Sequence, residues 1–99
     1  MKIIILGAGT VGTTLAISLS QEDNDITVVD KDQSALHHLE EEADINTVNG
    51  RCSYPNTLVN SGIKEADMVV AVTGSDEINI VSCLISKVCL LYTSDAADD

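Results

Sequence analysis

The chain has no tryptophan and no phenylalanine, and aromatic residues make up only 2% of its 99 residues. Its core must therefore be aliphatic, built from Ile, Val, Leu and Ala. Basic residues are nearly as scarce: five Lys and Arg stand against 16 Asp and Glu, for a net charge of −11. Nucleic acid and anionic lipid are held by clustered Lys and Arg. An acidic chain with scattered cations is poorly suited to either, so no nucleic-acid partner is expected. The three cysteines, Cys52, Cys83 and Cys89, are odd in number and contain no Cys-x-x-Cys pair. Neither a disulfide framework nor a zinc site is supported, and small apolar fillers in a reducing compartment are the plainer reading. His37 and His38 are adjacent in an acidic helical pattern. Neighbouring helix positions point in different directions, so they make no paired metal site. No apolar run reaches the roughly 20 residues of a membrane span. The first apolar stretch is too short for a secretory signal. A cytoplasmic chain with no direct membrane insertion is expected.

What is present is an alternation of strand and helix. Residues 2–6 form a short β-branched run that ends in glycine, the pattern of a strand buried on both faces. Residues 10–21 carry Val11, Leu15 and Leu19 at a helical spacing of four. Residues 25–29 read as a second strand. Residues 33–42 read as a second helix with Leu36 and Leu39 inward. A third strand is expected at 45–48 and a third helix at 54–61, with Pro55 in its first turn and Gly62 at its stop. A fourth strand is expected at 67–72 and a fourth helix at 76–88. This order predicts an α/β fold, a Rossmann-type doubly wound parallel sheet, partial, with strand order 3-2-1-4 and helices on both faces.

The chemistry-bearing motif is Gly7-Ala8-Gly9-Thr10-Val11-Gly12, a G-x-G-x-x-G. Alone it is a weak signal. Here it leaves a strand, opens a helix, and is followed 18 residues beyond Gly12 by Asp30 at the end of the next strand. Gly7 permits the turn, Gly9 lets a pyrophosphate approach the backbone, and Gly12 lets helix and sheet pack closely. The backbone N–H groups of Thr10 and Val11 would face phosphate at the positive end of the helix dipole. The Asp30 carboxylate suits the hydroxyls of an adenine ribose. Lys31 follows it, no arginine is near in sequence, and NAD or NADH is therefore favoured over the 2′-phosphorylated forms. A P-loop is excluded, because no Gly-Lys-Ser/Thr occurs. S-adenosylmethionine sites share the glycine loop and acid and stay open as an alternative. Thr73 to Asp76 matches a helix capping box, which offers Asp76 and Asn79 a purely structural role beside a functional one.

Three stretches carry a family resemblance: residues 1–12, residues 24–30 (Asn-Asp-Ile-Thr-Val-Val-Asp) and residues 66–73 (Ala-Asp-Met-Val-Val-Ala-Val-Thr). With Asp76-Glu77-x-Asn79 they resemble the regulatory subunits of bacterial Trk-type potassium uptake, and the broader domain family that regulates potassium conductance. The resemblance implies a peripheral cytoplasmic subunit at the inner face of the cell membrane. It would bind NAD(H), form a dimer or higher homo-oligomer, and gate a membrane-embedded Trk-type K⁺ translocating subunit. It further implies that Gly7 to Gly12 hold the pyrophosphate and Asp30 the ribose. Thr73 and Gly74 would line the nicotinamide side, and Gly50 to Ser53, including Arg51 and Cys52, would lie near the adenine. Two departures stand out. Gly50-Arg51 replaces a frequent Gly-Asp, and Thr10 is shorter than the polar residue many relatives carry. No catalytic residue is required, and no Tyr-x-x-x-Lys dyad is present: Leu58 follows Tyr54 at that spacing and Ala96 follows Tyr92. The alternatives are the N-terminal part of an NAD-dependent dehydrogenase and a self-contained nucleotide sensor.

The fourth helix is apolar almost all round, with Ile78, Ile80, Val81, Cys83, Leu84, Ile85 and Val88. Such a helix needs cover on several sides, and a partner subunit or further chain is expected there. Residues 89–99 break the family pattern and resemble a translated sequencing adapter. The domain is therefore expected to occupy 1–88, with 89–99 a non-native tail and the fourth strand an open edge.

Overall fold

A computed structural model describes residues 1–85 and 89–91. Among the described residues nine elements follow one another: β1 (Lys2–Leu6), α1 (Thr10–Ser20), β2 (Asp25–Asp30), α2 (Gln33–Glu42), β3 (Asn46–Asn49), α3 (Pro55–Asn60), β4 (Met68–Ala71), α4 (Asp76–Ile85) and β5 (Cys89–Leu91). The expected elements all form, with ends moved by a residue or two. The final residues of the expected fourth helix, 86–88, lie outside the described residues, as do 92–99.

The strands form one sheet in the order β3-β2-β1-β4-β5, every pairing parallel. β1 lies at the centre because its two flanks are both apolar, and successive side chains feed opposite faces. Ile3 and Ile5 join the cluster under α1 and α2, with Ala16, Ile26, Val28, Leu36 and Leu39. Ile4 and Leu6 join the opposite cluster with Val29, Leu58, Val69 and Ala71, beside Ile78 of α4. Each fully buried Ile or Leu contributes about 1.5–3 kcal/mol relative to exposure, so this strand anchors both layers. The chain order turns back between β1 and β4, and that switch point opens a crevice at the strands' carboxyl ends.

The helical spacing in α1 resolves into a buried row and a half-buried row. In α1 the inward residues are Gly12 and Ala16, with Leu15 and Leu19 half-buried, while Val11 is 45% exposed. Gly12 alone lets the helix come down on β1, and Val11, one residue away, is turned aside. The open edge expected at β4 is corrected: Cys89–Leu91 pairs there, Val69 with Cys89 through Ala71 with Leu91. An apolar edge with unmet N–H and C=O groups accepts an apolar extended segment readily.

Candidate functional site

Four strand ends converge on one cleft of about 350 Å³. β1 contributes Gly7 and Gly9, β2 contributes Asp30 and Lys31, and the turn after β3 contributes Arg51, Cys52 and Ser53. Thr73, Gly74 and Ser75 follow β4, and Ile78 comes from α4. Of the residues singled out in the sequence, Gly7, Gly9, Asp30, Lys31, Arg51, Cys52, Thr73 and Gly74 are brought together here. Ala8, Thr10, Val11 and Gly12 are not on the lining: Ala8 and Gly12 are buried beneath the loop, and Thr10 and Val11 are exposed at its helical end. Ser75 and Ile78 escaped the sequence argument, because a helix cap and an aliphatic helix residue carry no ligand signature.

The glycines divide by task. Gly7 has φ +117°, and a Cβ there would meet the backbone of Val72 and Thr73 at 2.9 Å. A Cβ on Gly12 would collide with the Gly7 carbonyl oxygen. Gly9 differs, for nothing lies within 4 Å of the position its Cβ would take. It is the N-cap of α1, makes no side-chain capping bond, and the helix's first turn holds no acid. The first-turn N–H groups and the positive helix end therefore face open space, the arrangement that receives an anion. Across the cleft Gly74 is equally bare. These are the fit requirements of a pyrophosphate, met by backbone alone.

Asp30 is tied to the loop it faces. One carboxylate oxygen accepts from the backbone N–H of Ala8 at 2.7 Å, the other from that of Asp32 at 2.8 Å. A carboxylate offers about four acceptor positions, so ribose hydroxyls can still be taken. The β2 end is braced from β3: the Asn49 side-chain amide donates to the carbonyls of Asp30 and Lys31, and the Gly50 N–H donates to Asp30.

Cys52 is buried. Its thiol lies 3.4 Å from the Val29 carbonyl, and burial, with the nearby Asp30 charge, pushes its pKa up to about 12. It is a protonated wall residue, not a nucleophile. Arg51 lies over the Tyr54 ring, 5.7 Å from its centroid.

The far wall is fixed by Asn79, which is fully buried. Its side-chain oxygen accepts from the Thr73 backbone N–H at 2.9 Å and the Thr73 hydroxyl at 2.6 Å, and its amide donates back to the Thr73 carbonyl at 3.2 Å. The carboxamide thus stands in for a neighbouring strand at the end of β4. The expected capping box starting at Thr73 is corrected: Ser75 is the cap, its hydroxyl accepting from the Ile78 N–H at 3.2 Å. Among the described residues no three His, Cys, Asp or Glu group as a metal site, and no helix is long and apolar enough to cross a membrane.

Fold and site together define a Rossmann-type domain bearing a dinucleotide fingerprint at its switch point. The TrkA-N domain family model matches residues 3–92, and the chain belongs to that family. It is 54% identical over 86 residues to the Trk system potassium uptake protein TrkA of Halomonas elongata, covering 87% of this chain and 19% of that protein. It is 57% identical over 83 residues to the protein of the same name from Haemophilus influenzae, covering 84% and 18%. The chain thus spans about a fifth of the length of these curated relatives. Among solved structures, the Kef C-terminal domain of Shewanella denitrificans in its AMP-bound form superposes with a TM-score of 0.75 at 18% identity, covering 86% of this chain and 50% of that one. The TrkA-N domain of the Escherichia coli inner membrane protein ybaL gives 0.64 at 12% identity, covering 98% and 91%. Both share the fold.

Proposed function

We propose that the chain is the nucleotide-sensing front of a regulatory subunit of Trk-type potassium uptake. NAD or NADH occupies the switch-point cleft, and the difference between the two forms biases a membrane-embedded K⁺ translocating partner. The observation that carries this reading is the convergence on one cleft of an uncapped helix N-terminus, the bare Gly9 and the β2-terminal Asp30. In this reading the pyrophosphate lies on the N-terminus of α1, Asp30 takes the adenine ribose, the Arg51–Ser53 turn borders the adenine, and Thr73 and Gly74 border the nicotinamide. The relatives' names support the potassium-uptake setting, and AMP on the Shewanella domain is in keeping with an adenosine half in this crevice. A regulator acts by binding one domain arrangement better than another, and needs no catalytic group from this cleft. The protein would work at the inner face of the membrane as a homo-oligomer, with the half-exposed Ile80 of α4 available to a second copy. The domain boundary at residue 88 belongs to the same reading. The described part of the tail adds an edge strand beside β4, and removal of residues 89–99 should leave nucleotide affinity unchanged.

The test is a chimera. Residues 1–88 replace the matching front of the Halomonas elongata protein in a strain lacking its own regulator. Growth at limiting K⁺ should be restored, and Asp30→Ala in the chimera should remove it. A stably expressed chimera that restores nothing would refute the regulatory role.

A further inference from the structure

We propose that Arg51 and Lys31 form an anion-receiving pair at the adenosine end of the cleft, so that the site accepts a 2′-phosphorylated adenine dinucleotide as well as one with a free ribose. This rests on the reading of the cleft as a dinucleotide site.

No arginine lies beside Asp30 along the chain. The fold supplies one across the sheet. Arg51, in the turn after β3, lines the same cleft as Asp30 and Lys31. The bonds from Asn49 and Gly50 to the carbonyls at the end of β2 keep these two turns together. Two of the chain's five basic residues therefore stand on one rim of an otherwise strongly acidic protein.

Neither cation is neutralised there. Among the described residues the one ion pair is His37 with Glu41. Asp30, the acid on that rim, accepts from the backbone N–H groups of Ala8 and Asp32 and makes no ion pair with either cation among the described residues. Arg51 instead rests over the exposed Tyr54 ring, 5.7 Å from its centroid, a contact that leaves its charge uncancelled. A guanidinium stays protonated and presents a planar fork that matches phosphate oxygens in pairs. Asp30 opposes a 2′-phosphate with one charge, and Lys31 and Arg51 attract it with two. A free ribose uses Asp30 and ignores the cations; a phosphorylated one uses the cations and leaves Asp30 on its backbone donors. The Arg51 position is thus where this chain sets its dinucleotide preference.

The experiment is titration of the whole chain with NADH and NADPH at low and high salt, for the native sequence, Arg51→Ala and Lys31→Ala, with circular dichroism confirming each fold. NADPH should bind within about tenfold of NADH, a span of about 1.4 kcal/mol. Arg51→Ala should weaken NADPH by about tenfold or more and NADH by less than about threefold, and added salt should weaken NADPH more. NADPH weaker than NADH by more than about tenfold in the native chain, or Arg51→Ala affecting both ligands equally or neither, would overturn the inference alone. A folded chain that binds neither ligand would remove the dinucleotide reading and this inference with it.

Discussion

The carboxylate of Asp30 accepts a hydrogen bond from the backbone N–H of Ala8 at 2.7 Å, across 22 residues of chain. The residue that would recognise a ribose is thus the same one that holds the glycine loop in shape. Asp30→Ala should therefore cost stability with no ligand present, by about 1–3 kcal/mol, because a largely buried donor loses its acceptor. Urea denaturation checks this. A variant as stable as the native chain would show that the bond does not shape the loop.

Gly9→Ala and Gly12→Ala should separate binding from folding. Gly9 has open space around its Cβ position, so alanine should change stability by no more than about 1 kcal/mol while crowding the phosphate approach and weakening NADH at least tenfold, about 1.4 kcal/mol. At Gly12 the new Cβ strikes the Gly7 carbonyl, and about 3 kcal/mol or more should be lost, in the range reserved for backbone strain and overpacking. Thermal melts and NADH titration of both variants read the two effects.

Asn79→Ala should destabilise by about 2–4 kcal/mol, since it removes a fully buried carboxamide and strands the N–H and C=O of Thr73. Nucleotide affinity should also fall, because the Thr73–Ser75 wall loses its brace. Asn79→Asp should be no rescue: the ionised carboxylate cannot donate to the Thr73 carbonyl, and either burying that charge or protonating it costs stability at neutral pH. Denaturation curves of the two variants should shift together; a native-like Asn79→Asp would contradict the clamp.

Cys52 should resist alkylation in the folded protein at mildly alkaline pH and react once urea is added. Peptide mass mapping distinguishes it from the other cysteines. Its pKa is raised in the fold from an ordinary 9.0 to about 12. The folded state thus holds the thiol proton where the unfolded chain releases it. The stability linked to this group is complete below pH 9 and declines as pH rises towards about 12. Cys52→Ser should remove that slope. Rapid modification of the native Cys52 would show that it is not buried as described.

The layout of the sheet was legible because β1, β2 and β4 are apolar runs bounded by turns, and because the glycine loop and Asp30 mark successive strand ends. In α1 Leu15 and Leu19 of the apolar spacing pack against the core, but the buried Gly12 beside them leaves no mark in an apolar pattern. The role of Asn79 was half legible: Asp-Glu-x-Asn starts a helix, but only the fold reveals that its carboxamide extends the edge of β4. Along the sequence Arg51 is only a departure from a pattern. That it shares a cleft with Lys31 and Asp30 depends on β3 lying beside β2, a long-range fact that no local spacing states.

The most direct measurement is calorimetric titration of NADH into the whole chain, with Asp30→Ala beside it and folding of both verified by circular dichroism. Saturable binding at one site per chain, lost in Asp30→Ala, is the result expected from a glycine loop and carboxylate that together form the ribose and pyrophosphate subsites. Absence of binding by the folded native chain, or binding that Asp30→Ala leaves intact, would contradict that assignment of the cleft.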